Sequence, residues 1–232
     1  MKAPERGALP LRLAATLSRT YGRVTETVHG LSDADFQRPT RCKSMPVGPL
    51  LVHLLYDAQR ALMAFASPTI AEPDRDFVTY WQDFPPRADE SDTSFVRTVA
   101  SAYRKPGLLV QHWRELSEAA ARAAMLGLME KGRRVETQGH VLRATDFVAT
   151  LVLEATVHHL DLSLELPGAP EPDPEGLQVT ARTLDGLFGP DAWDVIEWDT
   201  TTYVLKATGR LPLDDADREM LGPHASRLPL LG

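Results

Sequence analysis

Leu151-Val152-Leu153-Glu154-Ala155-Thr156-Val157-His158-His159-Leu160-Asp161-Leu162 is an apolar, helix-compatible run that carries two acids and two imidazoles. It belongs to a long helix predicted over residues 145–166. At about 100° per residue, positions four apart differ by about 40° around a helix, so Glu154 and His158 leave the same face. Phe147 and Leu151 fall on that face too, which makes it the buried one. A carboxylate and an imidazole there are costly unless something satisfies them, and a divalent metal is a common partner. His159 points about 140° away from Glu154 and is expected outside the constellation.

Working outward, three more long helices precede this one. Leu13, Leu17, Tyr21, Val24 and Val28 repeat at helical spacing, and Gly30 with the Ser32-Asp33-Ala34-Asp35 turn follows. Pro46 and Pro49 stand where a helix begins, and residues 50–65 read as the second helix. Residues 67–86, rich in Pro, Asp and aromatics, read as a long, partly ordered connection. Ser91-Asp92-Thr93 caps a third helical region running to about Met129, which Pro106-Gly107 must kink or break. Residues 132–143 read as a small hairpin or an irregular loop.

The clearest linker is Gly168-Ala169-Pro170-Glu171-Pro172-Asp173-Pro174. Helices near residues 175–187 and 192–207 follow, then a tail ending Leu228-Pro229-Leu230-Leu231. Thr200-Thr201-Thr202-Tyr203-Val204 is β-prone in isolation, which weighs against the second of these helices. The expected fold is all-α: a four-helix bundle over residues 1–167 with a small helical C-terminal extension over residues 168–232.

Composition narrows the function classes. A chain of 232 residues with 43% hydrophobic and 25% charged content is that of a soluble globular protein. The formal charge of -7 argues against nucleic acid or an anionic membrane as the main partner. Nowhere do about 18 apolar residues run together, so no membrane span is expected, and residues 1–8 carry no long apolar core of a signal peptide. The single Cys42 excludes an internal disulfide and suits a cytoplasmic location. A monomer and a homodimer are both compatible with the pattern.

A third metal ligand should come from another helix, and His53 is the candidate. It lies at the edge of the apolar stripe formed by Val47, Leu51, Leu54, Ala58 and Phe65, with Asp57 and Arg60 on its side one turn further on. Half-buried polar groups of this kind fit the wall of a substrate pocket. His53, Glu154 and His158 together suit zinc and other late divalent ions, and three protein ligands leave a coordination position open. The plainer readings stay open: a hydrogen-bonded core histidine, a helix-surface Glu154/His158 pair, and an Asp57–Arg60 surface pair. Asp161, one turn after His158, is placed to hydrogen-bond a ligand's second nitrogen or to be an exposed aspartate. His29, His112, His140 and His224 read as solvated, and Cys42 as structural.

Three segments carry a resemblance. Arg38-Pro39-Thr40-Arg41-Cys42-Lys43-Ser44-Met45-Pro46-Val47 with Leu51-Val52-His53-Leu54, the run from Glu154 to Leu162, and Ala207-Thr208-Gly209-Arg210-Leu211-Pro212-Leu213 through Leu228-Pro229-Leu230-Leu231-Gly232 are similar to the mycothiol-dependent maleylpyruvate isomerase family. In that family the fold is a DinB-like bundle. The resemblance implies a divalent metal, usually zinc, on His53, Glu154 and His158, with mycothiol as cosubstrate. It further implies isomerase or S-transferase chemistry on a small electrophile, with a thiolate as nucleophile. Arg210, in the family-like Gly209-Arg210 pair, is the candidate catalytic cation for negative charge developing on the electrophile; capping of the preceding helix is its alternative. One departure stands out: Ser44-Met45 occupies the place of a common Gly-Trp pair, which reshapes whatever the indole covers. A non-catalytic metal- or ligand-binding bundle, with a stress or accessory role, is the rival reading. A metal-activated water with Asp57 as base is a third.

Overall fold

The computed structural model describes residues 8–43, 45–84, 93–166, 168–190 and 196–231. The predicted all-α bundle is what these residues form: eight α-helices and one two-stranded hairpin. Helix α1 (Ala8–Val28) buries Leu17, Tyr21, Val24 and Val28 at the predicted spacing. Helix α2 (Val47–Ala66) starts after Pro46, and Pro49 sits in its first turn, where a backbone N–H would have had no intrahelical partner. The third helical region is broken, as its proline demands. Helix α3 (Ser94–Ala102) ends before an extended Lys105, and Pro106 opens helix α4 (Pro106–Met129). Of the expected cap, Ser91 and Asp92 lie outside the described residues.

Residues 132–143 resolve in favour of the hairpin, β1 (Arg134–Thr137) paired antiparallel with β2 (His140–Arg143). Gln138 and Gly139 both adopt positive φ, 49° and 80°, as a two-residue turn matched to strand twist requires. Val135 and Leu142 pair across the strands and point into the core, fully buried. Helix α5 (Ala144–Leu162) follows directly and is buried on nearly every side. It stops four residues short of the predicted end. Its last turn is closed instead by side chains, with Ser163 Oγ donating to the His159 carbonyl at 2.7 Å and the Arg41 guanidinium to that of Leu160.

Four helices form the bundle. α1 packs on α4 and α5, and α2 packs on the same two from the other diagonal. Tyr21 and Thr25 of α1 meet Trp113 near the start of α4, so that pair is antiparallel. Phe65, at the end of α2, lies over Gly127 at the end of α4, so α2 and α4 run the same way, which is why a long connection joins them. Phe65 also meets Phe147, early in α5, while His53 meets residues 154 and 158 further along; α2 and α5 are antiparallel.

Beyond the linker, helix α6 (Pro174–Phe188) is capped by Asp173, whose carboxylate accepts from the Gly176 N–H at 2.9 Å and pairs with Arg19 at 2.7 Å. A Cβ on Gly176 would come within 2.9 Å of both Thr20 and Thr156, so α6 lies directly against α1 and α5. Helix α7 (Thr200–Ala207) is helical despite its three threonines, because Asp199 accepts from the N–H groups of Thr201 and Thr202. It is shorter than predicted: residues 196–199 are not helical, and residues 191–195 lie outside the described set. The predicted tail contains a further short helix, α8 (Asp215–Leu221), started by a reciprocal Asp214–Asp217 capping box.

Candidate metal centre

The bundle brings the three predicted ligands together. His53 comes from the second turn of α2, and Glu154 and His158 from adjacent turns of antiparallel α5. His158 Nε2 stands 3.1 Å and His53 Nε2 3.5 Å from the same Glu154 oxygen. The imidazoles meet edge to face with centroids 4.8 Å apart. All three donor atoms lie within 4.8 Å of one another, and among the described residues this is the group so arranged. His158 is buried, whereas His53 keeps 31% and Glu154 23% of its side-chain surface. The cluster is closed at His158 and open at His53 and Glu154.

Charge in the cluster is unbalanced in an informative way. Burial alone would favour a neutral Glu154, but hydrogen bonds from His158 and His53 hold its carboxyl well below the usual range. Burial likewise opposes a charged His158, yet the hydrogen bonds and charges of Asp161 and Glu154 push it up to about 10. The acids here demand a cation. A proton on His158 meets that demand in one way, and a divalent ion on Nε2 would meet it in another. The second nitrogen, Nδ1, is already engaged with Asp161 Oδ2 at 2.9 Å. Asp161 is fully buried, so the exposed alternative does not describe it.

Asp57 is buried as well. One carboxylate oxygen holds Arg60 at 3.0 Å; the other, Oδ2, has no hydrogen-bond partner although it lies 3.4 Å from His53 Nε2. Burial first, and then the charge of Glu154, raise the Asp57 carboxyl, with His53 opposing. An orphaned buried oxygen beside two imidazoles and a carboxylate fits a site made for an additional positive group. The donor set, two histidines and one carboxylate, fits zinc and its neighbours.

Arg210 reaches the same end of α5. Its Nε and Nη2 lie 3.3 Å from the two oxygens of Asp161, and Nη1 donates to the Thr208 carbonyl at 2.7 Å. His159 points away from the cluster, to Thr27 of α1 at 3.0 Å. Cys42 is half-buried on the loop that caps α5, and burial raises its thiol pKa against the opposing charge of His158. Met45 packs into the core; Ser44 lies outside the described residues. Two expectations need correction. His140 is not simply solvated, since Asp74 at 3.0 Å and Asp83 at 3.4 Å hold it. His224 is half-buried, edge-on to Phe188.

The connection after α2 supplies a neighbour that helical periodicity does not predict. A short 3-10 turn, Thr79–Asp83, buries Tyr80 and Trp81. The Tyr80 hydroxyl donates to Gln138, and its pKa, raised to about 12 mainly by burial, responds to Arg60, Glu154 and Asp57. The signal available in the sequence was the aromatic cluster Tyr80, Trp81 and Phe84.

Fold and cluster together define the class: an all-α, DinB-like four-helix bundle with a candidate metal centre between α2 and α5. Within that class, the chain belongs to the mycothiol maleylpyruvate isomerase family. The family's domain, described as Mycothiol maleylpyruvate isomerase N-terminal domain, matches residues 17–163, more than half of the chain. Membership supports a mycothiol-related, isomerase-like function in general terms. The match covers His53, Glu154, His158 and Asp161 and stops before α6, so Arg210 lies beyond it. No curated protein and no solved structure matches the chain. Among the described residues, no helix is long and apolar enough to cross a membrane.

Proposed function

We propose that the protein is a divalent-metal-dependent enzyme that activates mycothiol, a low-molecular-weight thiol, for S-transfer to a small electrophile or for its isomerisation. The observation that carries this reading is the convergence of His53 Nε2, Glu154 Oε2 and His158 Nε2 within 4.8 Å on the open side of a buried α5. These three residues would hold the ion, with zinc foremost. When bound, it would favour thiolate over thiol at neutral pH and so supply the nucleophile.

The chain's own groups do the rest. Asp161 takes the Nδ1 hydrogen of His158 and leaves Nε2 facing the cluster. The partial exposure of His53 and Glu154 marks the side from which thiol and electrophile approach. Asp57 and Arg60 flank that side as substrate-facing groups, the Arg60 guanidinium tethered to Asp57. Residues 1–167 thus carry the ligand set, and residues 168–232 form an extension that brings Arg210 to its edge. We place the protein in the cytoplasm, where a low-molecular-weight thiol pool is reduced.

The test is His53→Ala. Its expected result is loss of nearly all bound metal by elemental analysis, together with loss of mycothiol-dependent turnover. A variant with full metal content means that the ligand set is wrong. An unaltered protein that binds metal but neither mycothiol nor any electrophile of a broad panel is a binding bundle rather than an enzyme. Turnover in the absence of thiol points instead to hydrolysis.

A further inference from the structure

Asp161 has no exposed surface, and its two oxygens divide between two partners. Oδ2 accepts from His158 Nδ1 at 2.9 Å and from Arg210 Nη2 at 3.3 Å, while Oδ1 faces Arg210 Nε at 3.3 Å. Both oxygens thus face donors, a guanidinium on one side and an imidazole nitrogen on the other. An ionised carboxylate only accepts hydrogen bonds. His158 must therefore carry a hydrogen on Nδ1, which makes Nε2, the nitrogen turned to Glu154 at 3.1 Å, the one that would give up its proton to take an ion.

Arg210 is itself fixed from behind. Helix α7 ends in a Schellman turn, in which the Gly209 N–H bonds the Lys206 carbonyl at 3.2 Å and the Arg210 N–H bonds that of Leu205 at 2.8 Å. Gly209 takes the left-handed conformation, φ 71°, that the turn requires at this position. With Nη1 on Thr208, the side chain keeps only 10% of its surface exposed. All three nitrogens of the guanidinium are engaged within the protein.

We propose that Arg210 is a positioning residue: from the C-terminal extension it locks Asp161, and through Asp161 the tautomer and orientation of His158, and thereby sets the metal affinity of a centre built in the bundle. The inference rests on the reading that His53, Glu154 and His158 hold the ion. It assigns Arg210 a role through the protein rather than contact with the electrophile. Asp161 without Arg210 would be a buried carboxylate held by the His158 imidazole alone, with the clasp on its two oxygens gone and the side chain free to swing.

The experiment measures Zn²⁺ affinity by competition with a chromophoric chelator, and the visible absorption of the Co²⁺-loaded protein, in the unaltered chain and in Arg210→Ala, Arg210→Lys and Arg218→Ala. Arg218 belongs to the same extension, and among the described residues its side chain bonds the Leu213 carbonyl rather than any residue of the cluster. Arg210→Ala is expected to weaken Zn²⁺ by roughly 10–100-fold, the usual cost of losing a group that orients a ligand, and to alter the Co²⁺ bands. Arg210→Lys recovers part of the affinity, since an ammonium restores the charge but not the two-oxygen clasp. Arg218→Ala leaves both readouts unchanged. Unaltered metal affinity and spectrum in Arg210→Ala, even with turnover lost, would overturn the proposal and put the guanidinium on the substrate. Equal weakening in Arg218→Ala would overturn it too, as general loosening of the extension. Absence of metal in the unaltered protein defeats the underlying ligand assignment, a separate result seen before any variant is made.

Discussion

His158 and His159 are neighbours on one buried helix, yet the protein treats them in opposite ways. His158 faces two acids and is pushed up to about 10 in spite of its burial. His159 faces α1, where burial and then Arg23 press it down to about 4, and its Nε2 pairs with the Thr27 hydroxyl. That hydroxyl already donates to the Arg23 carbonyl at 2.8 Å, so it accepts from an N–H of a neutral His159. The contrast teaches that burial does not decide the chemistry of an imidazole; the charge of the wall it faces does.

The strongest way to break this comparison is to exchange the two positions' fates. His158→Ala is expected to abolish metal binding as His53→Ala does, whereas His159→Gln retains metal at the level of the unaltered protein, both read by elemental analysis. Equal loss in the two variants would mean that the helix face is misassigned.

A smaller effect concerns acid stability. His159 is depressed in the folded chain and ordinary in the unfolded one, so its contribution is full above about pH 6.5 and is lost as the pH falls towards about 4. The shift corresponds to an upper figure of about 3 kcal/mol. Urea unfolding across that window should show stability falling with pH, and His159→Gln should flatten the fall. An unchanged slope in the variant would assign the acid sensitivity to other groups.

Least affected is the extension. Asp185 on α6, raised to about 6 by burial in spite of a Tyr203 hydrogen bond, has the opposite sense. Its stabilising effect is full below about pH 3.8 and is lost as the pH rises through about 6. Because the group is partly solvated, Asp185→Asn is expected to raise the midpoint temperature at pH 7.5 only slightly, and to leave it unchanged at pH 3.5. A lower midpoint at pH 7.5 would show that the carboxylate is needed in its charged form.

Much of this was legible before any coordinates. Helical spacing selected His158 over His159, and the proline at 106 announced the break between α3 and α4. What escaped depends on contacts between elements distant in sequence. Periodicity predicts α5 as far as residue 166, because nothing in its own sequence says that Arg41, 119 residues earlier, takes up its terminal carbonyl. Tyr80 lies in a connection without period, and its burial follows from packing that the run itself does not encode. Asp57 and Arg60 do pair, one turn apart as spacing suggests, but the pair is half sunk into the protein, with Asp57 buried and Arg60 a third exposed. Arg210 illustrates the limit most directly. Its guanidinium takes the helix-end Thr208 carbonyl and the Asp161 carboxylate at once, and the second partner, 49 residues away, is not announced by its own segment.

The parallel course of α2 and α4 also has a kinetic consequence. It forces a long crossover, so His53 and Glu154 are 101 residues apart along the chain. Bringing such distant segments together carries a loop-closure cost that is met only late in folding. An unfolded or half-folded chain therefore offers an ion at most the local Glu154–His158 pair. The three-residue cluster is complete only in the finished bundle, and an ion bound there would draw the folding equilibrium towards the native state by mass action.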